Sequence, residues 1–199
     1  MRSRLARLDE PVLLEMEAEG EARGFPIVGR NVGVTLEVLA RSAGAKRVVE
    51  LGSGFGYSGY WFSRAVGSLG ELHLTDGDPE NERKALDYLR RAGLAEPVRF
   101  HVGDAVTTLA GLEGEFDVVY NDIDKEGYPD AWRAARERVR VGGLYICDNV
   151  LWSGRVLDEG PDDRTTSILD HNSMIADDER FVSTIVPTRD GVMVAVRIT

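Results

Sequence analysis

Apolar positions along this chain change period repeatedly, and the changes mark out its elements. Residues 10–22 and 31–43 carry apolar side chains at helical spacing, so two helices open the pattern. "RVVELG" (47–52) reads as a buried strand, with a helix over 57–67 behind it. "ELHLTD" (71–76) predicts the next strand. Pro79 then suits the first turn of the helix carrying "ENERKALDYLRRAG", which Gly93 closes. "PVRFHVGD" (97–104) and "EFDVVYNDID" (115–124) predict a third and a fourth strand, and a helix over 128–140 follows. "GGLYICDN" (142–149) predicts the fifth strand, and a long loop leads to a helix over 164–178. "RFVSTIVP" (180–187) and "GVMVAVRI" (191–198), joined by the tight turn "TRDG", form a hairpin, so one of the two runs against the rest.

Five strands with helical crossovers imply an α/β fold whose parallel sheet is covered on both faces. No internal repeat, low-complexity tract or Pro/Ser-rich linker interrupts the 199 residues, so a single domain over 1–199 is expected. In such sheets the ligand sits beyond the carboxyl ends of the strands, near the switch in strand order. Standing at those ends are Glu50 and its glycines, Asp76, Gly103 with Asp104, Asp122 with Asp124, and Asp148 with Asn149. Every parallel strand ends in acid or glycine.

The loop "VVELGSGFGYSGYW" (48–61) has two registers. From Gly54 it is G-x-G-x-x-G, the dinucleotide fingerprint; from Glu50 it is E-x-G-x-G-x-G, the loop of a methyl-donor site. Asp76, 20 residues after Gly56, suits a ribose diol in either register, or is simply a solvated aspartate beside a tight turn. Glu50 separates the two. A carboxylate in an apolar strand is costly without partners, and a pyrophosphate beside it adds repulsion. A ligand carrying an amino group and a sulfonium relieves that cost, which favours S-adenosylmethionine over NAD.

Asp122 and Asp148–Asn149 fall at the ends of strands expected to be neighbours. Two carboxylates and an amide oxygen are hard ligands suited to Mg²⁺, although helix caps or solvated strand ends give the same pattern. Lys125, three residues after Asp122, is either a base beside that metal or an ordinary surface lysine. Histidine occurs only at His73, His101 and His171, without clustered spacing, which argues against zinc.

Composition narrows the partners. With 43% hydrophobic residues the chain can bury a core. Its net charge of −10 disfavours broad nucleic-acid binding. Only three of the 24 basic residues are lysines, which suits an acidic surface in a high-salt cytoplasm or, more blandly, a GC-rich genome. A single cysteine, Cys147, leaves no internal disulfide framework and fits a reducing cytoplasm. No apolar run is long enough for a membrane span, and "MRSRLARLDEP" has no apolar stretch behind its basic residues, so no signal peptide is expected.

Taken together, "VVELGSGFGYSGYW", "LTDGDPEN", "FDVVYNDIDKEGY", "GGLYICDNVLWSGRV" and "DGVMVAVRI" resemble the cation-dependent O-methyltransferases of the caffeoyl-CoA and catechol type, over about residues 25–199. The resemblance implies a Rossmann-like seven-stranded methyltransferase sheet and an S-adenosylmethionine-dependent transfer to a hydroxyl of a catechol-like small molecule. It assigns Asp122, Asp148 and Asn149 to Mg²⁺ or another divalent cation and makes Lys125, beside Asp122, the residue that takes the acceptor's proton. Glu50, Gly52 and Ser58 would line the methionine part of the donor, Asp76 its ribose, and Asp104 and Ala105 its adenine. Val28 would close the donor pocket. Trp152 would wall the acceptor site, or else pack in the core. The first 45 residues would contribute to the acceptor site and to a homodimer interface. Asn121 departs from the apolar residue common in the family, and the acidic loop "GRVLDEGPDDR" offers a CoA phosphate little beyond Arg155 and Arg164. The competing functions are methylation of a hydroxylated tRNA base, an NAD(P)-dependent oxidoreductase on the Gly54 register, and a non-catalytic donor-binding protein.

Overall fold

The computed structural model describes residues 10–199; the basic stretch read for a leader lies outside them over residues 1–9. Two helices, α1 (Pro11–Arg23) and α2 (Gly29–Ser42), precede β1 (Arg47–Leu51) and α3 (Tyr57–Val66). Then come β2 (Glu71–Asp76), α4 (Pro79–Arg91), β3 (Val98–Val102), α5 (Ala105–Gly111) and β4 (Phe116–Asn121). The chain ends with α6 (Tyr128–Ala135), β5 (Val139–Cys147), α7 (Asp163–Ala176), β6 (Phe181–Val186) and β7 (Val192–Arg197). No helix among the described residues is long and apolar enough to cross a membrane.

The seven strands form one sheet in the order β3-β2-β1-β4-β5-β7-β6. β1 to β5 pair in parallel, and β7 runs antiparallel to both β5 and β6. The strand direction alternates side chains between two covered faces. Val48, Val118 and Ile146 join α1–α4 in one core; Val49, Val119 and Tyr145 join α5–α7 in the other. Both faces are apolar at the centre of the sheet, which is why β1 and β4 read as nearly continuous hydrophobic runs, whereas the edge strands β3 and β6 are interrupted by polar residues. Trp132 of α6 anchors the second core between Tyr145 and Phe181, each 4.9 Å away between ring centroids.

Two boundaries differ from the sequence reading. The helix expected over 128–140 stops at Ala135, because Val139 pairs with Phe116 and is drawn into β5. Residues 140–143 then bulge before the ladder resumes at Leu144 opposite Val118. A further helix, α5, lies between β3 and β4, where the sequence reading has none. It is seven residues long, and Asp104 caps it by accepting from the Thr107 backbone N–H at 2.7 Å.

α1 is held to the body largely by its carboxylates. Glu17 accepts from the Tyr57 hydroxyl at 2.8 Å and pairs with Arg30 at 2.6 Å. Glu19 accepts from Lys84 and from the Tyr88 hydroxyl, and Glu15 pairs with Arg91 at 2.5 Å. The segment following α1, Phe25 to Val28, roofs the carboxyl edge of the sheet.

Candidate active site

β1 has β2 on one side and β4 on the other, so the strand order reverses there. A cavity of about 920 Å³ opens beyond the carboxyl ends of these strands, where open α/β sheets bind ligands. It is lined by Val28, Gly52, Ser58, Asp76, Asp104, Ala105, Asp122, Lys125, Asp148, Asn149 and Trp152. Eleven of the twelve sequence-predicted site residues thus line one cavity, and Glu50 stands directly behind Gly52 and Ser58.

Glu50 is fully buried on β1, facing α3. One of its oxygens accepts from the Ser58 hydroxyl, and the other, Oε2, has no partner. Burial pushes its carboxyl up to about 8; the Ser58 hydrogen bond opposes that rise, while the Asp122 and Asp76 charges add to it. The loop after Glu50 is tied to β2: the Ser53 N–H donates to the Thr75 carbonyl at 2.8 Å, and the Thr75 hydroxyl to the Glu50 carbonyl at 2.9 Å. Gly52 sits at φ +82°, and a Cβ there would lie 2.6 Å from the Asp122 carbonyl oxygen. Only glycine lets the β1 and β4 ends approach this closely.

Asp76 serves the same loop. Its Oδ2 accepts from the Gly54 N–H at 3.0 Å, and its Oδ1 from the Asp78 N–H at 2.9 Å and the Asn81 amide at 3.0 Å. Three of a carboxylate's roughly four acceptor positions are therefore occupied by protein. Asp104 lines the cavity while capping α5, and the Thr107 hydrogen bonds hold its carboxyl below the usual range.

Across the cavity, β4 and β5 pair through Asn121 and Cys147, so Asp122 and Asp148 leave the sheet side by side. Asp148 is fully buried, and neither of its carboxylate oxygens has a hydrogen-bond partner. Burial raises the carboxyls of both aspartates; at Asp122 Lys125 opposes and the Asp148 charge adds, while at Asp148 the neighbouring Asn149 N–H opposes first, then Arg189 and Lys125. Asn149 adopts φ +59°, a left-handed conformation that asparagine tolerates better than most residues. The Lys125 ammonium donates to the Asn149 side-chain oxygen at 2.8 Å and to the Tyr128 hydroxyl at 2.6 Å, and lies 3.5 Å from Asp122. Tyr128 in turn donates to the Asp148 carbonyl at 2.8 Å.

Trp152 is half-buried: it borders the cavity and also packs against the second core. Lys125 lies 5.7 Å and Arg155 5.6 Å from its ring centroid. Arg189, in the β6–β7 turn, also reaches the cavity and donates to the Ile27 carbonyl at 2.6 Å.

An O-methyltransferase family profile matches residues 11–198, almost the whole chain. The chain belongs to the O-methyltransferase family. A catechol O-methyltransferase of Niastella koreensis is 36% identical over 157 residues, covering 76% of this chain and 71% of the relative. Among solved structures, the O-methyltransferase TomG of Streptomyces achromogenes, involved in tomaymycin synthesis and solved in complex with SAM, superposes with a TM-score of 0.90. It is 27% identical and covers 98% of this chain and 93% of its own. The O-methyltransferase of Bacillus cereus, in complex with SAH, gives 0.89 at 27% identity, covering 97% and 93%.

The O-methyltransferase site contains groups that the sequence reading did not single out. Tyr128 supports Lys125 from below, and its only signal was its place three residues on, at the start of a helix. Phe25 roofs the glycine loop, where a Cβ on Gly54 would lie 2.8 Å from its ring. The sequence marks Arg189 only as part of the tight turn "TRDG". Among the described residues no cluster of three or more His, Cys, Asp or Glu side chains is arranged to hold a metal. The candidate donor set here is two carboxylates and an amide, and the two orphaned oxygens of buried Asp148 suit a hard divalent cation. Glu50 Oε2 likewise suits a cationic ligand group.

Proposed function

We propose that this O-methyltransferase moves the methyl group of S-adenosylmethionine to a hydroxyl of a small catechol-like acceptor, with Mg²⁺ or another divalent cation at the acid pair. Asp148 carries the reading. A fully buried carboxylate with two unpartnered oxygens is costly unless a cation completes it. The similarity to a catechol O-methyltransferase and the SAM and SAH in similar structures support it.

S-adenosylmethionine, when bound, supplies the methyl group on an electrophilic sulfonium. Glu50 and Ser58 bind its cationic amino-acid end, and Gly52 lets it approach the backbone. Asp76 accepts from its ribose, Asp104 and Ala105 border the base, and Val28 closes the pocket above. The divalent cation, when bound, would supply positive charge that lowers the pKa of a nearby hydroxyl. Asp122, Asp148 and Asn149 hold it. Lys125, in its neutral form, takes the acceptor's proton at Nζ, held in place by Tyr128. Trp152 orients the acceptor ring and shields it from water. One domain spanning residues 1–199, with its first 45 residues bordering the acceptor site and a homodimer interface, and a cytoplasmic setting complete the reading.

The test is methyl transfer from S-adenosylmethionine to catechol with Mg²⁺ and with EDTA. Turnover with Mg²⁺ that disappears in EDTA is expected. Full activity in EDTA removes the cation from the mechanism, and no transfer to any hydroxylated ring removes the acceptor class.

A further inference from the structure

The β6–β7 turn holds Arg189 in a conformation that glycine adopts more easily, φ +50°. The turn itself is rigidly placed. The Val150 and Leu151 N–H groups donate to the Gly191 and Asp190 carbonyls at 3.1 and 2.9 Å. The Asp190 carboxylate accepts from the Ser153 N–H, and a Cβ on Gly191 would lie 2.4 Å from Leu151 Cγ. The turn is thus docked on the loop that carries Asp148, Asn149 and Trp152, and Arg189 rises from it into the same cavity.

Its guanidinium is underused. Only the bond to the Ile27 carbonyl, at 2.6 Å, is made by one of its five N–H donors, and no carboxylate lies within 4.0 Å among the described residues. Arg164, the other arginine of the cavity, is by contrast paired with Glu126 at 2.8 Å. A rigidly based, exposed cation with spare donors faces the acceptor end of a cavity whose other charges are mostly acidic. The Ile27 contact orients its planar fork, which matches a carboxylate with two parallel hydrogen bonds.

We propose that Arg189 is a specificity-determining residue that reads an anionic substituent, a carboxylate on the hydroxylated acceptor ring. The inference rests on the catechol-like acceptor reading above. Asp122, Asp148 and Asn149 would hold the cation that faces the ring's hydroxyls, and Arg189 meets the far substituent. Neutral and amine-bearing rings lack that contact, and an amine is repelled by it.

The experiment compares kcat/KM for 3,4-dihydroxybenzoate, catechol and dopamine in the wild type, Arg189→Gly and Arg189→Glu. Arg189→Gly suits the positive φ and so keeps the turn folded. The wild type is expected to prefer the benzoate over catechol. The benzoate-to-catechol ratio should fall about tenfold or more in Arg189→Gly, through KM more than kcat, as loss of a charge-assisted hydrogen bond predicts. In Arg189→Glu the order of benzoate and dopamine should reverse. A benzoate-to-catechol ratio unchanged by both substitutions overturns the inference while leaving catechol methylation standing. No methyl transfer to any of the three rings overturns the acceptor reading and the inference with it.

Discussion

The Lys125 ammonium donates to the Asn149 side-chain oxygen at 2.8 Å, so the residue proposed to take the acceptor's proton rests on a residue proposed to hold the cation. An amide oxygen has two lone pairs, and Lys125 occupies one. Base and cation site are therefore aligned through a single shared atom. Lys125→Met should lower kcat by roughly 10²- to 10⁴-fold, the usual contribution of a positioned base, with donor affinity nearly intact. Steady-state kinetics beside calorimetric titration of the donor decides it; a loss confined to donor binding would place Lys125 elsewhere in the cycle.

Asp148→Ala removes a buried carboxylate neither of whose oxygens completes a hydrogen bond. Metal-dependent turnover should vanish. In EDTA, however, the variant should melt at or above the wild-type temperature, because the wild type then carries an uncompensated buried acid. Mg²⁺ should raise the wild-type melting temperature and leave the variant unmoved. Paired thermal melts test this, and a marked loss of stability in EDTA would mean that Asp148 has a protein partner after all.

Glu50 makes stability and donor binding depend on pH in opposite directions. Its carboxyl is pushed to about 8 by burial, against an ordinary value of 4.5. Between those values the folded chain holds a proton that the unfolded chain has lost, so the donor-free protein loses stability as pH rises from 4.5 through 8. A cationic donor favours the ionised form, so its affinity should increase over the same window. Glu50→Gln should weaken binding, flatten its pH dependence and reduce the stability slope, leaving a remainder from Asp122 and Asp148, whose carboxyls burial also raises. Melts and donor titrations from pH 5 to about 8.5 supply the comparison, bracketing the two protonation states.

Gly52→Ala places a methyl group 2.6 Å from the Asp122 carbonyl oxygen at a φ of +82°. The combined strain and clash should cost about 2 kcal/mol or more, and roughly 4–8 °C in melting temperature for a chain of this size. Because the clash falls on Asp122, cation affinity should drop as well. Normal cation binding in a correctly folded variant would show that Asp122 tolerates the displacement.

Most of the sheet was legible because burial on both faces makes its central strands nearly continuous apolar runs with sharp ends, and those ends carry the acids. Glu50 was legible as a charge out of place. What stayed hidden was decided by tertiary pairing. Val139 has no local reason to be a strand residue until Phe116 lies beside it. α5 has too few apolar positions to show a helical period, and Asp104 was read for ligand contact before its capping bond was visible. Tyr128 and Arg189 became functional candidates only by proximity: one lies under Lys125, the other reaches across from a hairpin far along the chain.

The reversed strand β7 has a consequence for how this mouth can be altered. Six strands furnish the rim by ending there, and the first five are each tied to a following helix that must return across the sheet. β7 furnishes it by beginning there, so the turn before it closes on itself and owes nothing to a crossover. Its exposed side chains, Arg189 among them, can be exchanged without re-threading any helix, provided Asp190 and Gly191 keep the turn docked. The wall proposed around Arg189 is thus a replaceable cuff on an otherwise fixed opening, the place where new acceptors can be tried at least cost to the fold.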